Sequence, residues 1–112
     1  MPNTMNVSVS VNTAAHIIEQ EVVEGSITGT LIDRYEIESS DKKKCVMLVF
    51  DKHYYRAGNR LTLTVLIDDF TGVTRVHCVA GGGGEGLFRF DWGAAESFEE
   101  IVFEALEKYI VW

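Results

Sequence analysis

The sequence predicts an α+β domain: one antiparallel curved sheet in the order β-α-β-β-β-β-α, with two helices packed on one face. Two observations carry this. Four strand-like stretches follow one another between Ile27 and Ala80, at spacings that only hairpins can join. The end of the chain then carries Phe98, Ile101, Val102, Ala105, Leu106 and Tyr109 at the i, i+3, i+4, i+7 spacing of an amphipathic helix. A lone helix of this length is marginal in water, so its stripe must pack on the sheet.

The elements follow in order. Met5, Val7, Val9 and Val11 alternate with Asn6, Ser8 and Ser10, which predicts a half-buried first strand. Asn12-Thr13 offers an N-cap for a short helix from about Ala14 to Glu24, with Ile17, Ile18 and Val22 inward and Gly25 closing it. Ile27 to Glu38 alternates, with Ile27, Leu31, Tyr35 and Ile37 on one side. Cys45 to Tyr55 begins with the continuous apolar run Cys45-Val46-Met47-Leu48-Val49-Phe50, which predicts a central strand. Leu61 to Asp68 and Val73 to Ala80 complete the meander, with turns at Ala57-Gly58-Asn59 and Asp69-Phe70-Thr71-Gly72. Residues 1–112 read as a single domain, without repeat or linker.

The totals bound the function. A hydrophobic fraction of 46% with 24% charged residues is that of a globular protein with a real core. The net charge of −7 excludes nucleic acid and anionic membranes as partners unless the cations cluster, and Lys42-Lys43-Lys44 is the one basic run. No apolar stretch is long enough to span a bilayer, and Met1 to Asn6 carries no secretory pattern, so the expected compartment is the cytoplasm. His16, His53, His77, Cys45 and Cys78 lack any metal-ligand spacing, so neither metal nor cofactor is expected.

The element order resembles the plan shared by the TATA-binding-protein-like and helix-grip proteins, in which a sheet wraps a long C-terminal helix. The string Gly-Gly-Gly-Gly-Glu-Gly-Leu-Phe-Arg-Phe-Asp-Trp-Gly-Ala also resembles that of a family of small uncharacterised bacterial proteins. Neither resemblance implies an activity, because topology does not carry function.

Centring the turns near Lys42, Gly58 and Phe70-Thr71 aligns Leu31 with Asp51, Val65 and Val76. The next rungs are Gly29, His53, Leu63 and Cys78, then Ile27, Tyr55, Leu61 and Ala80. This register puts Asp51, His53 and Tyr55 at one end of an oily face beneath the helices. Two readings stand: these groups and Cys78, with Tyr35, orient a ligand, or they are the strand end meeting water. The opposite face then carries Leu48, Phe50 and Leu66 among threonines, a pattern that suits either a protein contact or a wet sheet.

Gly81, Gly83 and Gly86 match Gly-x-Gly-x-x-Gly, but no helix opens directly after them and the sheet is antiparallel, so a dinucleotide site is not expected. Gly81, Gly82, Gly83, Gly84 and Gly86 read as a connection or as a flap over the groove. Asp51 and His53 sit two apart, where a base could be oriented, but no nucleophile accompanies them. Phe103, off the main helical stripe, and Trp112 at the end suggest a homodimer. The leading expectation is a non-catalytic cytoplasmic module holding a small apolar or amphipathic ligand, or a protein partner, between sheet and last helix. The alternative is a self-associating adaptor using the outer sheet face; an enzyme using Asp51 and His53 comes third.

Overall fold

The structure is a computed structural model, which describes residues 3–25, 28–54, 59–82 and 92–111. In chain order it forms β1 (Thr4–Val7), α1 (Val11–Glu19), β2 (Thr30–Glu38), β3 (Lys44–Tyr54), β4 (Asn59–Asp68), β5 (Thr74–Gly82) and α2 (Trp92–Leu106). A π-helical extension, Gln20–Glu24, continues α1, and a 3-10 turn, Glu107–Tyr109, follows α2. Among the described residues the strands make one antiparallel sheet in the order β1-β5-β4-β3-β2. The α+β class and the element order are those the sequence predicts.

The first strand is shorter than its alternation suggests. Ser10, in extended conformation, caps α1: its hydroxyl oxygen accepts the Thr13 N–H at 3.1 Å. Asn12-Thr13 is therefore inside the helix, and Val11 is its first buried residue instead of the last of β1. Val11, Ala14, Ala15, Ile18 and Val22 then form one stripe against the sheet, with Ile17 at its margin. From α2, Phe98, Val102 and Leu106 are fully buried one turn apart. Beneath these helices lie Val46, Leu48 and Phe50 of β3, Leu61, Leu63, Val65 and Ile67 of β4, and Val76, Cys78 and Ala80 of β5. Each large aliphatic side chain buried there contributes roughly 1.5–3 kcal/mol.

Placing Leu48 and Phe50 in the core corrects the expected register. Asp51 faces Thr62, three residues from the expected Val65. An odd slip turns a strand over, so β3 buries its even positions and turns Asp51 and His53 to the outer face. The physical reason is the carboxylate: burying Asp51 beneath the helices costs several kcal/mol, whereas Phe50 gains by burial. Between β4 and β5, Val65 faces Cys78 instead of Val76, a slip of two that leaves the faces unchanged. In β2 a bulge between Leu31 and Asp33 flips the alternation. Leu31 stays on the helix side opposite Phe50, while Tyr35 and Ile37 emerge on the outer face opposite Met47 and Cys45.

The two sheet edges differ. At β1, the segment after α2 runs alongside: the Ser8 N–H donates to the Tyr109 carbonyl and the Val111 N–H to the Asn6 carbonyl, both at 2.9 Å, around a Val7–Ile110 bridge. The chain end thus covers the free edge of β1. At the other side β2 pairs only with β3 among the described residues.

Candidate functional site

Among the described residues the sheet has one face under helices and one face without them. Across the bare face the register lays out rungs. Tyr35, Met47, Leu66, His77 and Thr4 form one; Ile37, Cys45, Asp68, Arg75 and Asn6 form the next towards the β2–β3 turn. On the other side come Asp33, Val49, Thr64 and Val79, then Thr30, Asp51, Thr62 and Gly81. Tyr35 is 58% exposed, Ile37 51%, Val79 46% and Leu66 39%, with Met47, Val49 and Cys45 half-buried between them. Contiguous apolar exposure of this kind marks a contact surface more often than scattered residues do.

Most of the charges on this face are matched within it. Arg75 grips Asp68 with two hydrogen bonds, Nε to Oδ2 at 3.2 Å and Nη2 to Oδ1 at 3.1 Å. Arg60 Nη1 lies 2.8 Å from Asp51 Oδ2. The Thr4 hydroxyl and His77 Nδ1 share a 2.6 Å hydrogen bond. Three aspartates (Asp33, Asp51, Asp68) against two arginines (Arg60, Arg75) leave one net negative charge on a chain that carries −7. Most of the acid lies on the helix side. There Arg34 is held by Glu19 of α1 and by Glu36; partial burial alone would lower its pKa, but the two carboxylates outweigh that and raise it.

Two clefts lined by described residues open on the helix side. The larger, about 870 Å³, lies where the π-helical extension meets α2 over the end of β3; Ile101 and Ala105 are its apolar part, and Glu21, Glu104, Lys52 and Lys108 are charged groups along it. The smaller, about 390 Å³, runs between α1 and β2 past His16, Gln20, Val23 and Leu31.

The sequence-predicted site residues divide accordingly. Asp51 and His53 share the outer face but line neither cleft. Tyr35 is outer as well, and Tyr55 lies outside the described residues. Cys78 is buried under the helices; burial and then Glu99 push its thiol up to about 12, which removes it as a nucleophile at neutral pH. Burial, then Asp68, raises Cys45 too. Of the expected contact residues, Leu66 is outer, Leu48 and Phe50 are core, Phe103 is half-buried against the core, and Trp112 lies outside the described residues. Gly81 and Gly82 end β5 instead of starting a flap, with Gly82 at φ +92°; Gly83, Gly84 and Gly86 lie outside the described residues. Sequence reasoning missed Met47, Val49 and Val79. The signal was present: Thr62, Thr64 and Leu66 mark the wet side of β4, and the β3 residues opposite them had to share it.

Among the described residues no cluster of three His, Cys, Asp or Glu could hold a metal, and no helix is long and apolar enough to cross a membrane. No curated protein and no solved structure matches the chain. Residues 2–110 do match a family, described as Family of unknown function (DUF6054), and the chain belongs to it.

Proposed function

We propose that the protein is a non-catalytic interaction module that presents the bare outer face of its sheet to another polypeptide. The observation that carries this is the stripe Tyr35, Met47, Leu66 and Val79, exposed or half-exposed on a nearly neutral surface that no helix covers among the described residues. A partner sheet or amphipathic helix would remove that stripe from water at about 25 cal/mol per Å². Near-neutrality matters because a uniformly acidic face repels most cellular proteins, whereas this one meets little long-range repulsion. The strand order β1-β5-β4-β3-β2 supports a TATA-binding-protein-like or helix-grip plan. Two free thiols suit a reducing cytoplasm.

A photo-reactive benzophenone side chain at position 79 tests this in cells of the source organism, with the same group at Glu104 on the helix side as control. Adducts to a polypeptide at position 79 and none at 104 are expected; adducts at 104 only, or none at either, reject the outer-face reading.

A second reading has its own observation. The 870 Å³ cleft beside α2 has the size of a small-ligand site, and π-helical turns like the one beside it often occur at functional positions. Its charged groups suit an amphipathic ligand better than an apolar one. Native mass spectrometry of the gently purified protein checks it: a bound small molecule, lost in Ala105→Trp, is the expected result, and bare protein throughout counts against it.

A further inference from the structure

The open edge of β2 goes beyond the outer-face reading and does not depend on it. An unpaired strand edge is a template for another strand, and proteins normally blunt it. Here one edge of the sheet is already covered, because Tyr109 and Val111 bond to Ser8 and Asn6 beside β1. β2 is the longer edge strand, nine residues against four, and no described residue pairs with its outer side. Ile32, Tyr35 and Ile37 on it are each more than half exposed. The bulge between Leu31 and Asp33 limits the regular stretch to Asp33–Glu38.

That stretch reads Asp33-Arg34-Tyr35-Glu36-Ile37-Glu38. When two copies pair antiparallel about a two-fold axis, the axis stands perpendicular to the joint sheet and one residue faces its own copy. Centring on Asp33, Arg34, Glu36 or Glu38 sets like charges against each other on the axis. Centring on Ile37 sets Glu36 opposite Glu38 twice. Centring on Tyr35 alone avoids both: Tyr35 meets Tyr35, and Arg34 meets Glu36 of the second copy on either side of the axis. Opposite charges directly across strands stabilise and like charges destabilise. The faces also agree, since Arg34 and Glu36 both lie on the helix side and Tyr35 on the outer side.

We infer that the protein forms a homodimer by antiparallel β2–β2 pairing centred on Tyr35, making one continuous ten-stranded sheet with the helices of both copies on one side. The apolar stripe of the bare face then runs unbroken from Leu66 of one copy through the two Tyr35 rings to Leu66 of the other. Arg34 is shared between Glu19 of its own α1 and Glu36 of the second copy.

Disulfide trapping tests this in the full chain with Cys45→Ser as background. In that background Tyr35→Cys should give a covalent dimer under mild oxidation, because cross-strand Cβ atoms lie about 4.5–5.5 Å apart, close to a disulfide's span. Val79→Cys, far from the axis, should give none; cross-linking at 79 instead of 35 means that the copies meet face to face, and overturns the proposal. Sedimentation velocity supplies the second arm. Arg34→Glu should weaken the dimer at least tenfold, and Arg34→Glu with Glu36→Arg should restore it, although the Glu19 contact is lost in both. A wild-type chain that stays monomeric across the concentration range, or a double variant no tighter than the single one, also overturns it. Failure of the Tyr35→Cys and Arg34→Glu arms leaves the benzophenone result at position 79 untouched.

Discussion

Glu99 reaches from α2 to the sheet, where its Oε2 accepts the Ala80 N–H at 2.9 Å. The bond exists because β1 pairs only with Thr74 to His77, so β5 continues past it and its later N–H groups need other partners. Glu99→Ala leaves that N–H unpaired and is expected to cost about 1–3 kcal/mol in urea unfolding, with Glu99→Gln recovering part of the loss. An alanine variant as stable as wild type would show that the bond contributes nothing. Cys78 gives a pH signature. Its folded pKa is raised to about 12, above the unfolded thiol, so the folded state holds the proton where the unfolded chain has lost it. The resulting stability is complete below about pH 8.5, the usual thiol value, and is lost as pH rises from there towards 12. The expected result is a steeper alkaline loss of stability in wild type than in Cys78→Ala; equal slopes would contradict it.

At the scale of elements, β3 is the strand on which both faces turn. Its run Cys45 to Phe50 is apolar at every position, so alternation could not say which half is buried. What decides it lies outside the run: Asp51 demands water and Phe50 does not. The turn centre was the weak link, because half a residue of error there slips the register by one and inverts a strand, while the slip of two between β4 and β5 was harmless. The bulge at Ile32 was likewise invisible in β2, whose alternation continues across it. By contrast α1, α2 and the strand sequence were legible, since each rests on a periodicity longer than any single error. The corrected faces make a paired prediction. Phe50→Ala should cost about 3–5 kcal/mol, whereas Leu66→Ala should change stability by no more than about 0.5 kcal/mol; similar costs for the two would place β3 wrongly. The π-helical extension makes another. A Cβ on Gly25 would sit 2.6 Å from the Glu21 carbonyl oxygen, so Gly25→Ala must shift backbone. We expect a loss of about 1–3 kcal/mol in thermal unfolding, and an unchanged midpoint would mean that the turn yields freely.

For the whole molecule, the proposed function rests on an asymmetry between two faces. The helices cover one side of the sheet, where most of the acid lies; the other side keeps its apolar stripe and neutralises all but one of its own charges. The sequence showed that such a face should exist and named Leu66 on it, but assigned it Leu48 and Phe50 in place of Met47, Val49 and Val79. The most direct test is the solvent exposure of methyl groups, read by NMR from the relaxation caused by a soluble gadolinium chelate. With isolated protein, the account predicts strong relaxation at Leu66 and Val79, intermediate relaxation at Met47 and Val49, and little at Leu48, Val65, Ile67 and Val76. Strong relaxation at Leu48 together with protection of Val49 and Leu66 would turn the sheet over and contradict it.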